Sequence, residues 1–305
     1  MSGLPSKEQA VRPYLSTLSR RPPNPTATPA SLAGAVLNVA HRGASAYAPE
    51  NTLAAVRKAI ARDADAVEFD VHRTKDGALV LLHDATLDRT TDVRRVFPGR
   101  APWRVSDFMH AELMQLDAGS WKSREFTGER IPTLSEALAV LGLSDVGALV
   151  ELKAPATYPG IVAEMATLLE ASPARVTVQS FDHVSMRDLR HAAPSVSVGV
   201  LGSPAGSLLP ELAEWADQVN PHHRRVDRSY VDDVHASGMR CLVWTVDRSS
   251  AMRRAVRLGV DGIITNRPDL FHRVRSDCQH AGAVRAVSRR STDDVSATRA
   301  RRLAS

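Results

Sequence analysis

Two carboxylates and an imidazole lie close together in one stretch of the sequence. Acids alternate with apolar residues in the segment VEFDV, which contains Glu68 and Asp70. Because side chains alternate with a period of two along a β-strand, both carboxylates point to the same face. The Asp76-Gly77 pair that follows predicts a two-residue hairpin turn. A return strand over 79–82 then places His83 opposite Asp70.

Three acids are expected to share one divalent cation. Glu151, at the end of a later strand, joins Glu68 and Asp70, and hard carboxylate oxygens favour Mg²⁺ or Ca²⁺ over a thiolate-seeking metal. The alternative is a salt-bridge network with Arg42 and Lys153. Once a phosphate also binds, the two cations cannot neutralise its negative charge together with that of three inward-facing acids, which favours the metal.

The remaining candidate residues suit phosphodiester cleavage. His41 and His83 titrate near neutrality, so one takes a proton from the attacking oxygen while the other protonates the leaving oxygen. Arg42 and Lys153 are predicted to hold the phosphate and the charge that develops on it. Trp244 is interpreted as an apolar wall for the organic part of the substrate, with a core or rim aromatic as the alternative.

Composition and charge exclude several function classes. From Arg273 onward, eight Arg and three Asp account for the whole formal charge of +5 in this 305-residue chain, so the body has no surplus for specific nucleic-acid binding. Two cysteines imply neither a disulfide framework nor a Cys-rich metal site. With no signal peptide and no long apolar run, we expect a cytoplasmic protein.

The chain is expected to have three parts. Residues 1–34 form a Pro-rich, disordered leader, and residues 274–305 form a disordered Arg-rich tail with weak contact to a membrane surface as its one added role. Between them, residues 35–273 form the folded domain, with an irregular insertion at about 85–132. Oligomeric state is left open.

Eight strands alternate with helices along the folded domain. The strands are expected at 36–40, 66–71, 148–152, 176–179, 196–201, 218–220, 241–246 and 262–265. Helices are expected at 53–60, 107–116, 133–141, 159–170, 182–192, 208–216, 229–237, 249–258 and near 271. This alternation predicts an α/β fold, a (β/α)₈ TIM barrel with an insertion after strand two. A doubly wound open sheet is the alternative, but no Gly-rich dinucleotide turn follows any strand.

Polar residues end seven of the eight predicted strands. They are His41-Arg42, Glu68-x-Asp70, Glu151-x-Lys153, Gln179-Ser180, His222 or His223, Trp244-Thr245 and Thr265-Asn266. Because the carboxyl ends of barrel strands meet at one mouth, these side chains are expected to converge there.

An ordered set of strings resembles the glycerophosphodiester phosphodiesterase family. The strings are His41-Arg42-Gly43, Pro49-Glu50-Asn51-Thr52, Glu68-Phe69-Asp70-Val71, Lys75-Asp76-Gly77, His83-Asp84, Asp117-Ala118-Gly119-Ser120-Trp121, Glu129-Arg130-Ile131-Pro132-Thr133-Leu134, Glu151-Leu152-Lys153, Trp244-Thr245 and Asp261-Gly262-Ile263-Ile264-Thr265. Lys122 departs from the family, which often has an aromatic residue there, and Asn266 stands where many members carry Asp.

The resemblance implies a barrel enzyme with one divalent cation, Mg²⁺ or Ca²⁺, held by Glu68, Asp70 and Glu151. It also implies acid and base roles for His41 and His83, with Arg42 and Lys153 on the phosphate. The expected reaction is hydrolysis of a small-molecule glycerophosphodiester to glycerol 3-phosphate and an alcohol. Alternatives are a lysophospholipase D-like or cyclic-phosphate-forming enzyme on lipids, and a non-catalytic module that binds a phosphate ester.

Overall fold

Nine strands build the sheet of the computed structural model, which describes residues 36–280. The strands are β1 (Leu37–His41), β2 (Ala66–Arg73), β3 (Leu79–Leu81), β4 (Gly147–Leu152), β5 (Val176–Ser180), β6 (Ser197–Leu201), β7 (Gln218–Asn220), β8 (Arg240–Val243) and β9 (Gly262–Thr265). All neighbours pair in parallel except β3, which is antiparallel to β2. Because β1 pairs with both β2 and β9, the eight parallel strands close on themselves.

Helices follow most of the strands. They are α1 (Leu53–Ile60), α2 (Val93–Val96), α3 (His110–Leu113), α4 (Leu134–Leu141), α5 (Ile161–Glu170), α6 (His183–Ala192), α7 (Leu209–Leu212), α8 (Arg228–Ala236), α9 (Ser249–Leu258) and α10 (268–280). The predicted (β/α)₈ TIM barrel with an insertion after strand two is therefore confirmed.

Local sequence explains where the longer helices begin. The Thr133 hydroxyl accepts from the Glu136 backbone N–H at 3.2 Å, while the Glu136 carboxylate accepts from the Thr133 backbone N–H at 2.7 Å. This reciprocal pair is a capping box at the start of α4. Thr52, Asp182 and Asp227 cap α1, α6 and α8 with a side-chain oxygen in the same way.

Alternation along the strands divides the core into two layers. Outward-facing residues such as Phe69 and Val178 are fully buried against the helices. Inward-facing Val39, Leu149 and Ile264 pack together with Leu242 from β8, inside the barrel. Beyond this apolar layer, at the carboxyl end of the barrel, the inward-facing positions of the strands carry polar residues.

The insertion and the last helix differ from the sequence-based expectation. The helix expected over 107–116 is limited to His110–Leu113, because Phe108 and Met109 are extended and the Phe108 carbonyl accepts from the Lys75 N–H at 2.8 Å. The insertion has its own apolar cluster, with Leu87 and Phe108 fully buried.

Residues 274–280 were assigned to a disordered tail, and for them that prediction is wrong. They continue α10, which carries a buried Val274. Arg275 donates to the Val36 carbonyl at 3.1 Å and forms an ion pair with Asp65. The expected leader at 1–34 and the rest of the expected tail lie outside the described residues. Within 36–280, no helix is both long and apolar enough to cross a membrane.

Candidate active site

Three carboxylates meet at the carboxyl end of the barrel. Glu68 and Asp70 point inward from β2, and β4 pairs Glu151 with Asp70 across the parallel ladder. One oxygen from each acid lies within 4.8 Å of the other two. Glu68 and Asp70 are only 2% and 1% exposed. The sequence-predicted triad is thus brought together by strand alternation and strand pairing.

The triad carries more negative charge than its neighbours balance. Burial and the nearby carboxylates of Asp70 and Glu151 raise the pKa of Glu68 well above its usual range. Burial and the charge of Asp70 raise the pKa of Glu151 to about 7. For Asp70, burial opposes ionisation, but the charges of Arg42 and Lys153 lower its pKa. Three acids therefore face two strong cations.

The carboxylates can hold a metal ion. Asp70 Oδ1 is buried and accepts no hydrogen bond, although Lys153 Nζ lies 3.3 Å away. Oxygens on opposite sides of a Mg²⁺ or Ca²⁺ ion lie about 4.2 to 5 Å apart, which the spread of the triad matches. A divalent cation would satisfy the orphaned oxygen and reduce the repulsion, and an all-oxygen donor set is suited to either ion.

Asn51, which sequence reasoning did not assign to the site, and the backbone of Arg42 orient these acids. Asn51 donates to Asp70 Oδ2 at 2.9 Å and accepts from the Asp70 backbone N–H at 3.2 Å. The backbone N–H of Arg42 donates to Glu68 Oε2 at 2.9 Å. Arg42 has a φ of 54°, a left-handed conformation that turns the chain sharply after β1. Asn51 belongs to one of the strings that resemble the family, but the resemblance gave this residue no role.

His41 is held by a chain of hydrogen bonds from Asn266, just after β9, and Asp247, in the loop after β8. Asp247 only accepts, so the Asn266 amide nitrogen faces it at 2.6 Å and Asn266 Oδ1 faces His41 Nδ1 at 2.7 Å. Nδ1 therefore carries the proton, and Nε2, 4.0 Å from Glu68 Oε2, has a free lone pair. Burial and the charge of Arg42 lower the pKa of His41, so it is neutral at pH 7.

The predicted hairpin register is wrong by one residue. Thr74 pairs with Ala78 around a three-residue turn in which Gly77 has a φ of 91°, so Leu82, and not His83, lies opposite Asp70. The glycine supplies the left-handed position that such a turn needs. His83 follows the end of β3 and still reaches the cavity that Glu68 and Glu151 line.

The carboxylate of Asp84 orients His83. His83 Nδ1 lies 2.6 Å from Asp84 Oδ1, so Nδ1 donates and Nε2 is the nitrogen left for chemistry. Hydrogen bonds from Arg89 and His83 outweigh partial burial and lower the pKa of Asp84 to about 2. Arg89 also binds Glu50, which in turn accepts from Arg42 at 2.8 Å. Through these contacts, the insertion is linked to the site both at His83 and at Arg42.

The other candidate residues line the same cavity, whose volume is about 160 Å³. Lys153 Nζ lies 2.7 Å from Glu151, and Arg42 Nε lies 3.1 Å from Asp70. Trp244 forms one wall, and its ring makes a T-shaped contact with Phe181 at a centroid distance of 6.0 Å. Of the residues predicted to act on substrate or metal, all but Asp70 line this cavity, and Asp70 contacts Arg42 and Lys153, which do line it.

Comparison with known proteins identifies the family. A model of the "Glycerophosphoryl diester phosphodiesterase family" matches residues 41–270. The chain is 38% identical over 239 residues to the glycerophosphodiester phosphodiesterase of Caldanaerobacter subterraneus, covering 76% of this chain and 95% of that protein. It is 32% identical over 262 residues to one from Bacillus subtilis, covering 79% and 86%.

Solved structures agree with this assignment. An Oleispira antarctica phosphodiesterase, solved in complex with the product sn-glycerol-3-phosphate, matches with a TM-score of 0.72 at 29% identity, covering 79% of this chain and 96% of that one. The glycerophosphodiester phosphodiesterase of Agrobacterium tumefaciens matches with a TM-score of 0.66 at 30% identity, covering 77% and 98%. The sequence match covers three quarters of the chain, and the fold agrees with it. The chain therefore belongs to the glycerophosphoryl diester phosphodiesterase family, whose members are phosphoric diester hydrolases.

Proposed function

We propose that this chain hydrolyses glycerophosphodiesters to glycerol 3-phosphate and an alcohol, using one divalent cation held by Glu68, Asp70 and Glu151. The observation that carries the proposal is the acid triad, with Glu68 and Asp70 buried and one oxygen from each carboxylate within 4.8 Å of the others, beside two oriented imidazoles. The family match and the product complex of the Oleispira relative support the choice of substrate.

The cation, Mg²⁺ or Ca²⁺, supplies Lewis-acid polarisation of a phosphate oxygen when it is bound. Arg42 and Lys153 act beside it, because both residues line the same cavity as Glu68 and Glu151. With the cation neutralising the acids, both side chains can turn their donors toward the phosphate and stabilise the charge that builds on it.

The two histidines divide the proton transfers. His41 is neutral and presents an unprotonated Nε2 to the cavity, so it accepts the proton of the attacking oxygen. His83 is assigned the role of general acid, with its Nδ1–H held by Asp84 and its Nε2 directed to chemistry. As the bond from phosphorus to the alcohol oxygen breaks, His83 Nε2 gives its proton to that oxygen.

The attacking oxygen is either that of water or the 2-hydroxyl of the substrate's own glycerol. Attack by water gives glycerol 3-phosphate in one step, whereas attack by the hydroxyl first gives a cyclic phosphate. Phosphorus NMR during turnover separates the routes. If a cyclic phosphate accumulates and persists, the proposed reaction would be formation of the cyclic phosphate and not hydrolysis.

The decisive assay measures alcohol release from a glycerophosphodiester before and after metal removal. EDTA is expected to abolish turnover, and Mg²⁺ or Ca²⁺ is expected to restore it. Full activity in EDTA would remove the cation from the proposal. Binding of glycerophosphodiesters without turnover in either metal would instead support the non-catalytic module.

A further inference from the structure

The cavity of about 160 Å³ at the barrel mouth has two chemically distinct halves. Ionisable side chains line one half, and they are His41, Arg42, Glu68, His83, Glu151 and Lys153. Uncharged side chains line the other half, and they are Gln179, Phe181, Leu201, Trp244, Thr245 and Ile264. The first group lies on the consecutive strands β4, β2 and β1 and just after β3, whereas the second lies along the arc of strands from β5 to β9. The ionisable half holds the metal and phosphate groups of the proposed reaction, so the uncharged half is left for another part of the substrate.

The position of His83 assigns the leaving alcohol to this cavity. His83, the proposed acid, lines this cavity but not the neighbouring one of about 390 Å³, whereas His41 lines both. In an in-line displacement, the attacking and leaving oxygens lie on opposite sides of phosphorus. The attacking oxygen therefore approaches from His41, where Ser45 and Asn266 give the neighbouring cavity polar walls suited to water or to glycerol hydroxyls. The alcohol departs toward His83, inside the smaller cavity.

Among the described residues, the uncharged half offers no ion-pair partner to a charged alcohol arm. The carboxylates that line the cavity are Glu68 and Glu151, both proposed to hold the cation. The lining cations, Arg42 and Lys153, lie beside the acids and are assigned to the phosphate. An ammonium or carboxylate group on the arm would therefore lose water here without gaining an ion pair, which is unfavourable. A hydrocarbon chain has no such cost.

Carbon atoms form most of the wall of the uncharged half. Trp244 Nε1 donates to the Asn220 carbonyl oxygen at 2.8 Å, so the polar atom of the indole is satisfied by the backbone. The indole ring is in T-shaped contact with Phe181, and Leu201 is buried in the same half. Phe181 is 57% exposed, so contact with a hydrocarbon chain would remove much of this ring from water.

We propose that the uncharged half is a subsite for a hydrocarbon chain on the leaving alcohol, with Phe181 and Trp244 as its walls. The inference rests on the proposed function and names the class of alcohol that the reaction releases. With its oxygen at His83, the alcohol lies along Trp244 and passes out of the cavity over Phe181. Burial of the chain and of these rings favours a long primary alcohol over a short or a charged one.

A series of primary alcohols isolates the chain. Glycerophosphoethanol, glycerophosphobutanol and glycerophosphohexanol differ only in the number of methylenes, and their leaving alcohols have similar basicity. A fully buried methylene gains about fourfold in binding, and a half-buried one gains about twofold. We therefore expect the metal-loaded full chain to prefer the hexanol ester to the ethanol ester by about 16-fold in kcat/KM. The gain should appear in KM with kcat unchanged, because the chain is bound equally in the ground state and the transition state.

A second pair of substrates tests charge at constant shape. The alcohol 3,3-dimethylbutanol is the uncharged isostere of choline, with carbon in place of nitrogen. We expect a lower KM for its glycerophosphodiester than for glycerophosphocholine, because the uncharged half gives the ammonium no carboxylate. A lower KM for glycerophosphocholine would mean that the rings of Trp244 and Phe181 bind the cation, and it would overturn the hydrocarbon subsite.

Variants of Phe181 test the assignment of the wall. Phe181→Ser should lower the preference for the hexanol ester about fourfold, whereas Phe181→Leu, which keeps an apolar side chain, should retain most of it. Because the ring is largely exposed, both variants should fold. Leu143→Ser, at a leucine that is 90% exposed outside the cavity, is the matched control and should leave the preference unchanged.

The outcomes separate this inference from the proposed function. Hydrolysis of all three alkyl esters with equal kcat/KM would overturn the hydrocarbon subsite and leave the phosphodiesterase standing. A preference for the hexanol ester that Phe181→Ser does not lower would also overturn it. Failure to hydrolyse any glycerophosphodiester in Mg²⁺ or Ca²⁺ would overturn both.

Discussion

Replacing Glu151 by glutamine should stabilise the protein when no metal is bound. The pKa of Glu151 is raised from 4.5 to about 7, so the folded chain holds this proton more tightly than the unfolded chain does. Below pH 4.5 the carboxyl is protonated in both states and costs nothing. The cost of ionising it in the fold grows as pH rises through this window and is complete above pH 7.

The size of the effect follows from that shift. At about 1.4 kcal/mol per pKa unit, the ionised Glu151 destabilises the metal-free fold by about 3 kcal/mol above pH 7. Glutamine removes the charge and keeps an oxygen that can accept from Lys153, which lies 2.7 Å from the glutamate. Since part of the ion pair is lost, we expect a net gain of about 1 to 3 kcal/mol, equivalent to a rise in Tm of roughly 3 to 10 °C.

Thermal unfolding followed by circular dichroism measures this gain. In EDTA, Glu151→Gln should melt above the native protein at pH 8, with little difference near pH 4.5. Mg²⁺ or Ca²⁺ should raise the Tm of the native protein at pH 8 and have little effect on the variant. Glu170→Gln, at an exposed glutamate that ends α5, controls for the change in net charge. A Glu151→Gln protein that melts at or below the native Tm in EDTA at pH 8 would refute the reasoning.

Four further variants test the site and the fold. His41→Ala and His83→Ala should each lower kcat by about two to four decades without unfolding the metal-loaded protein, as expected for loss of a general base or acid; full activity of either would remove that histidine from the reaction. Asp84→Asn should lower kcat about 10- to 100-fold, because His83 loses the carboxylate that fixes its tautomer; an unchanged kcat would show that another group orients the ring. Thr133→Ala should lower the free energy of unfolding in urea by about 1 kcal/mol by breaking the capping box with Glu136, and no loss would mean that the cap is compensated.

The sequence was most informative where local rules set direction. A strand period of two is enough to place Glu68 and Asp70 on one face, and the convergence of barrel strand ends adds Glu151. Those rules need no knowledge of loops, so the triad could be predicted. The helix over 249–258 and the strand over 262–265 were likewise placed at their observed bounds.

Contacts between distant parts of the chain were not predictable in this way. An Asp-Gly pair is compatible with both a two-residue turn and a three-residue turn with glycine in the left-handed position, so the hairpin register was wrong by one residue. Asn266 lies 225 residues from His41 and reaches it only because β9 pairs with β1 when the barrel closes. The Arg-rich composition that follows α10 indicated disorder, so the continuation of this helix was not predicted, although Val274 packs in the core.

The most direct test of the central claim is an anomalous difference map from crystals equilibrated with Mn²⁺, a hard ion that can stand in for Mg²⁺. We predict one strong peak among the side chains of Glu68, Asp70 and Glu151, with an oxygen of each about 2.0 to 2.6 Å from the ion. A map with no peak at the triad, from crystals of protein that is active in the same solution, would contradict the account.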